Sequence, residues 1–154
     1  MSRRRALISF MGLMAAGWIA AADTPAPPAT FDALFGGERL HVPLAQLADR
    51  VTLARDQDFR IEEVGRSEHV SQHVGAVRGA ERPHRHDRHD QLVVMLRGHG
   101  TMRIGDETLP IGEGSVLFVP KGVVHAFTNA GPEPAVSLIV YSPPFDGKDR
   151  IQVP

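Results

Sequence analysis

The chain has 154 residues, of which 42% are hydrophobic and 23% charged, and this composition suits one globular domain with its own core. Its formal net charge is −1 and no basic run lies beyond the first residues, which argues against a nucleic-acid partner. The chain has no cysteine, so disulfides and thiolate ligands are excluded, and any metal must be held by His, Asp, Glu or amide side chains.

The first 30 residues have the pattern of a targeting segment followed by a linker. Three arginines, Arg3–Arg5, precede an apolar run that ends in Ala20-Ala21-Ala22, which predicts a cleavable signal peptide over residues 1–22 and no stable membrane anchor after cleavage. The segment Ser2–Leu7 resembles the twin-arginine export pattern, with general secretion as the alternative route. Residues 23–30 form a Pro-rich linker. We therefore expect a periplasmic protein.

From residue 31 onward, short apolar segments alternate with Gly, Pro, Asn and Asp, which predicts an all-β sandwich or barrel. Residues 31–58 are expected to be an N-terminal extension that packs on a barrel formed by residues 59–154. One helix is predicted over Leu44–Arg50, and Gly105-Asp106 predicts a tight hairpin. The predicted strands are Val51–Ala54, Phe59–Val64, His69–Val77, Gln91–Arg97, Gly100–Ile104, Glu107–Ile111, Ser115–Val119, Val123–Thr128 and Ala135–Tyr141.

Two histidines carry the first chemical signal. His84 and His86 are two residues apart, so on an extended strand they project to the same face and can bind one ion together. Such a pair also occurs in solvated loops, and the segment around it is polar. The functional interpretation therefore needs further residues.

Two longer patterns supply them. His84-x-His86, four residues, Gln91, six residues and Gly98 have the spacing of the first cupin motif. A second stretch runs from Gly114 through Pro120-x-Gly122 and His125 to Asn129 and reproduces the second cupin motif in full. The region from about Phe59 to Tyr141 therefore resembles the cupin family.

The resemblance implies a double-stranded β-helix, or jelly roll, with a divalent metal ion (Fe, Mn, Zn, Cu or Ni) inside the barrel mouth. It implies His84, His86, Gln91 and His125 as the metal ligands. Gln91 departs from the family pattern, which has Glu there, and a neutral amide binds a cation less strongly than a carboxylate. The alternatives are a carboxylate from Asp90, three histidines completed by water, or a site without metal.

Residues beside these ligands predict a small-molecule pocket. Val93 and Met95 share a strand face with Gln91, and Phe127 shares one with His125, so these three apolar residues are candidates to line the substrate site. Gly98, Gly114 and Gly122 fall at turns where a positive φ is expected. Their predicted role is structural.

The other histidines are expected to have no ligand role. His41, His69, His73 and His99 are interpreted as surface or hydrogen-bonded barrel residues, because none has the same-face spacing. His89 lies on the connection between ligand-bearing strands and is expected in a solvated loop, with a supporting role near the ligands as the alternative.

The functional hypothesis is a metal-dependent periplasmic enzyme, dioxygenase-like or isomerase-like, that acts on a small organic molecule. The alternatives are a non-catalytic module that binds a small ligand or metal, and a structural role with no metal. No separate acid or base stands out, since Asp106 and Glu113 sit at predicted turns and Tyr141 could face either way. Jelly-roll edge strands often pair between subunits, so a homodimer is one expected assembly.

Overall fold

The computed structural model describes residues 25–154, so the predicted signal peptide and the first residues of the predicted linker lie outside the described part of the chain. The described residues form twelve strands and one short helix. In chain order these are β1 Thr30–Phe35, β2 Glu38–Pro43, α1 Leu44–Ala48, β3 Phe59–Arg66, β4 Ser71–Val77, β5 His84–Arg85, β6 Asp90–Arg97, β7 His99–Ile104, β8 Glu107–Gly112, β9 Val116–Val119, β10 His125–Asn129, β11 Ala135–Ser142 and β12 Ile151–Gln152.

Two five-stranded antiparallel sheets make up the barrel. One has the strand order β12-β5-β10-β7-β8 and the other β3-β4-β11-β6-β9. Neighbouring strands in both sheets are mostly distant in sequence, which is the jelly-roll arrangement. The predicted all-β double-stranded β-helix is therefore confirmed.

The main core lies between the two sheets. Its buried side chains come from alternate positions of strands in both sheets, as the two-residue period of a strand requires. They are Val77, Val93, Met95, Met102, Ile111, Leu117, Val119, Phe127, Ala135, Ile139 and Tyr141.

A second apolar cluster covers the outer face of β4 and β11. Leu47 and Ala48 of α1 pack there against Val74 and Leu138, and Val51 is buried beside them. Strand β4 is consequently covered on both faces. This explains why almost all of its residues are buried and why they do not alternate between polar and apolar. No helix in residues 25–154 is long and apolar enough to cross a membrane.

The prediction of a strand over Val51–Ala54 is wrong, because this segment has no strand structure. Val51 is buried against the α1 cluster, and the backbone groups of Ala54 bond to Gln57 and Arg78 instead of to a neighbouring strand. Burial beside a helix and burial in a sheet leave the same short apolar signature.

Three strand regions were not predicted. The hairpin of β1 and β2 turns at Gly36-Gly37, which both have positive φ, and its first residue, Thr30, belongs to the segment predicted as a linker. Strands β5 and β12 have only two residues each. The other predicted strands begin and end within two residues of the observed ones, and the Gly105-Asp106 hairpin between β7 and β8 is confirmed.

Candidate metal centre

Three histidines converge inside the barrel. His84 on β5 pairs directly with His125 on β10, and His86 follows just after β5 ends. Their side chains are buried, and one nitrogen of each ring lies within 4.8 Å of the corresponding nitrogens of the other two. The two motifs, about 40 residues apart in the sequence, therefore meet at one point.

The outer nitrogen of each ring is held by a backbone carbonyl. The Nδ1 of His84 donates to the carbonyl of Arg82 at 3.0 Å, and that of His125 to the carbonyl of Val123 at 3.0 Å. The Nδ1 of His86 donates to the carbonyl of Asp149. With the proton on Nδ1, the lone pair of each ring is on Nε2, which is the tautomer a metal-binding histidine needs.

Two of these inner nitrogens have no partner. The Nε2 atoms of His86 and His125 are buried, and among the described residues neither has a hydrogen-bond partner. Buried polar atoms in folded proteins are nearly always paired, so two lone pairs in one cluster indicate a group that the polypeptide does not supply. Three neutral imidazole nitrogens fit a divalent transition metal ion, and His84, His86 and His125 would hold it.

Burial also keeps these rings uncharged. Removal from water lowers the pKa of His84 to about 3 and that of His86 to about 4, and it lowers the pKa of His125 as well. The neighbouring imidazoles of the cluster act in the same direction on His84 and His86. All three rings are therefore neutral, with Nε2 free of a proton and able to bind a metal ion, at neutral pH.

Gln91, on β6, lies in the wall beside the histidines and is buried. Its amide nitrogen donates to the hydroxyl of Tyr141 at 3.0 Å, so its amide oxygen is the atom available to a cation. The carboxylate of Asp90 accepts the backbone N–H of Lys121 at 2.9 Å. Asp90 is not among the His, Asp and Glu side chains of residues 25–154 that lie close enough together to share one ion, which are the three histidines.

A cavity extends from the centre into the barrel, and its volume is about 560 Å³ when the part open to solvent at its mouth is included. His84, His125, Gln91 and Tyr141 lie on its wall. The remaining wall is mostly apolar and includes the predicted lining residues Val93, Met95 and Phe127. The other large apolar residues of the wall are Phe59, Val77, Met102, Ile111 and Ile139. Such a mixture is typical of a small-molecule site.

Tyr141 faces this cavity, which settles the orientation that the sequence left open. It is buried, its ring lies 5.3 Å from that of His86, and it stacks on Phe145 at 4.5 Å. Burial raises the pKa of Tyr141 to about 12, so its hydroxyl keeps its proton.

Two charged residues of the cavity wall had not been predicted. Arg150 forms an ion pair with Glu81 at 3.0 Å, and the second carboxylate oxygen of Glu81 accepts the N–H of Phe127 at 3.2 Å. Burial raises the pKa of Glu81, although Arg150 opposes this effect. Neither residue belongs to a motif, and the pairing of β12 with β5 brings the adjacent Arg150 to the site.

His89 corrects another expectation, since it is buried and does not lie in a solvated loop. Its Nδ1 bonds to the carboxylate of Asp149 at 2.5 Å, and that carboxylate also accepts the N–H groups of Asp87 and Arg88. Burial tends to raise the pKa of Asp149, but these hydrogen bonds hold it below its usual range. Asp149 thus supports His86 through its carbonyl and the 87–89 turn through its carboxylate.

The remaining histidines lie away from the cluster. His41, His69 and His99 are exposed, and His73 is buried and bonded to Ser71 at 2.9 Å. The motif glycines Gly98, Gly114 and Gly122 all have φ between 81° and 87°, as expected.

Comparison with known proteins agrees with this architecture. The cupin domain family matches residues 70–141. An uncharacterized protein of Aquifex aeolicus is 31% identical over 113 residues, which cover 70% of this chain and 93% of that protein.

Solved structures share the fold at lower identity. A Klebsiella pneumoniae protein with a double-stranded β-helix domain has a TM-score of 0.58 and 18% identity, covering 69% of this chain and 95% of its own. Pac13 of Streptomyces, a nucleoside dehydratase, has a TM-score of 0.53 and 16% identity, covering 62% and 78%. Together with the two motifs and the barrel, these matches place the chain in the cupin family.

Proposed function

We propose that this cupin is a metal-dependent enzyme that acts on a small organic molecule. One observation carries the proposal: the buried, unpartnered Nε2 atoms of His86 and His125 beside a largely apolar cavity. A bound Fe, Mn, Zn, Cu or Ni ion would supply Lewis-acid or oxygen chemistry at a substrate atom. Cupin barrels serve many activities, so the proposal rests on this site and not on the fold.

The protein side chains would have separate tasks. The three carbonyl-bound Nδ1–H groups keep the rings in one orientation, so that the ligand atoms need little rearrangement when metal binds. The apolar wall excludes water from the substrate, which strengthens polar interactions within the cavity. Gln91 is proposed as the fourth ligand through its amide oxygen.

Metal content tests the centre. We expect wild-type protein to bind about one divalent ion per chain and the variants His84→Ala, His86→Ala and His125→Ala to lose stoichiometric binding, because each removes one of at most four protein ligands. The exposed His41 and His99 provide matched controls, whose alanine variants should keep the ion. Stoichiometric metal in His125→Ala would refute convergence of the two motifs on one ion.

Turnover distinguishes an enzyme from a binding module. Metal-loaded protein is incubated with small phenols and diketones, with oxygen uptake and product formation as the readouts. Catalysis that is lost in His86→Ala but kept in His41→Ala supports the proposal. Tight ligand binding with neither oxygen uptake nor a rearranged product would instead support a non-catalytic module.

We also propose that the enzyme acts in the periplasm after export. The support is the charged start, the apolar run and Ala20-Ala21-Ala22. N-terminal sequencing of periplasmic protein should begin close to Asp23. Replacement of Arg3 and Arg4 by lysine should stop export by the twin-arginine route. An intact Met1 in periplasmic protein would contradict cleavage.

A further inference from the structure

The charge of the candidate ligand set restricts what else can bind there. Three imidazoles that hold their protons on Nδ1 offer a metal ion neutral lone pairs at Nε2, and the amide of Gln91 is neutral as well. A divalent ion on these ligands would keep its full double charge. Next to a largely apolar wall such a charge is stabilised by a counter-charge, because the apolar side chains cannot solvate it.

The other charges near the centre do not provide that counter-charge. The buried carboxylate of Asp149 lies outside the cavity wall and is already shared by His89 and the N–H groups of Asp87 and Arg88. Glu81 is the acidic residue among those that line the cavity, and both of its oxygens are used, one by the guanidinium of Arg150 and the other by the N–H of Phe127. The Glu81–Arg150 pair is neutral overall. Arg150 also lies over the ring of Phe59, at 5.1 Å, so its position is held from two sides.

Tyr141 offers a hydrogen-bond donor at the same place. Its oxygen accepts the amide N–H of Gln91 at 3.0 Å, and within residues 25–154 no acceptor for its own proton lies at hydrogen-bond distance. The side chain is 4% exposed and belongs to the cavity wall. A hydrogen-bond donor beside a cation site favours the binding of an oxygen atom that carries negative charge.

We propose that this site binds a small organic oxyanion, a carboxylate or enolate with an apolar body, whose charged oxygen contacts the metal and accepts the hydrogen bond of Tyr141. The proposal rests on the metal centre of the proposed function and adds the substrate class. The apolar part would contact the wall formed by Met95, Met102 and Ile111, among others.

A calorimetric titration tests the class of ligand with the full chain. The protein is first titrated with Zn²⁺, and the Zn²⁺-loaded and metal-free forms are then titrated with benzoate and with benzamide, a neutral molecule of nearly the same shape. We expect benzoate to bind the loaded form at least tenfold more tightly than benzamide, and the metal-free form to bind neither measurably.

Two variants separate the contributions. Tyr141→Phe should weaken benzoate binding by about tenfold more than it weakens Zn²⁺ binding, because the lost hydroxyl would donate a charge-assisted hydrogen bond to the oxyanion but only accepts one from the amide of Gln91. Gln91→Glu should move the two affinities in opposite directions: Zn²⁺ binds more tightly, and benzoate at least tenfold more weakly, because the added carboxylate supplies the missing negative charge.

The outcomes also distinguish this proposal from the one on which it rests. If wild-type protein takes up no Zn²⁺, both the metal centre and the oxyanion site are refuted. If Zn²⁺ binds but benzamide binds as well as benzoate, or benzoate binds equally without Zn²⁺, the oxyanion proposal alone is overturned. Unchanged benzoate affinity in Gln91→Glu would overturn it as well.

Discussion

Replacement of Asp149 by alanine should destabilise the protein and weaken its metal centre together. The buried carboxylate accepts hydrogen bonds from His89 at 2.5 Å, from the N–H of Arg88 at 2.9 Å and from that of Asp87 at 3.1 Å. Water can reach the exposed 87–88 turn and replace two of these bonds, whereas the buried His89 loses its partner. Since a hydrogen bond to a charged group contributes about 1.5 to 3 kcal/mol, we expect a net loss of about 3 kcal/mol.

The effect on metal binding follows from the carbonyl of the same residue. That carbonyl holds the Nδ1 of His86, and the carboxylate fixes the segment that carries it, so its loss should reduce metal affinity by about 10- to 100-fold. Urea unfolding of metal-free protein measures the first effect, and calorimetric titration with Zn²⁺ measures the second.

Asp146 offers a matched control, because it lies nearby and pairs with Arg88 at 2.8 Å but is exposed. Its alanine variant should lose less than about 1 kcal/mol, as exposed ion pairs usually do. If Asp149→Ala and Asp146→Ala were equally stable and bound Zn²⁺ equally well, the supporting role of Asp149 would be refuted.

Three further results are expected. Metal-free protein should lose stability as pH falls below about 6.5, since the unfolded chain then protonates imidazoles whose pKa values in the folded state are about 3 for His84 and about 4 for His86. At pH 5 the loss in urea unfolding should be at most about 2 kcal/mol per histidine, and a flat pH profile would contradict the burial of neutral rings. Gly100→Ala should cost more than about 3 kcal/mol in thermal unfolding, because the new Cβ would lie 2.0 Å from the carbonyl oxygen of Thr128; a near-neutral change would disprove that close approach. We expect a homodimer through the edge strand β9, where Phe118 is 57% exposed, so Phe118→Glu should give monomers in analytical ultracentrifugation, and a monomeric wild type would rule this assembly out.

The parts of the fold that the sequence predicted depend on local patterns. Alternating polarity on β6 and the Gly105-Asp106 turn are signals carried by neighbouring residues, and both appear in the structure. The prediction of a strand over Val51–Ala54 failed because a short apolar run does not reveal whether a helix or a strand will cover it. The β1–β2 hairpin was missed although Gly36-Gly37 is a hairpin signal, because its first strand begins within the Pro-rich stretch assigned to the linker.

The residues of the candidate site also fall into those that a local sequence pattern predicted and those that it did not. The histidines were found because two motifs have regular spacing, and the structure brings His84, His86 and His125 together. Asp149 and Arg150 could not be found, since they lie more than 60 residues after His86 and belong to no pattern. Their positions depend on the pairing of β12 with β5, a contact between distant segments that local sequence does not encode.

The position of β12 beside β5 has a consequence for biosynthesis. A ribosome makes His84 and His86 first, His125 about 40 residues later, and Asp149 and Gln152 last of these five. Until residue 152 has left the exit tunnel, His86 lacks the carbonyl that fixes its tautomer and β5 lacks one of its two neighbours. A nascent chain that has both histidine motifs would therefore hold an ion poorly, and firm metal uptake would follow the completion of translation through β12.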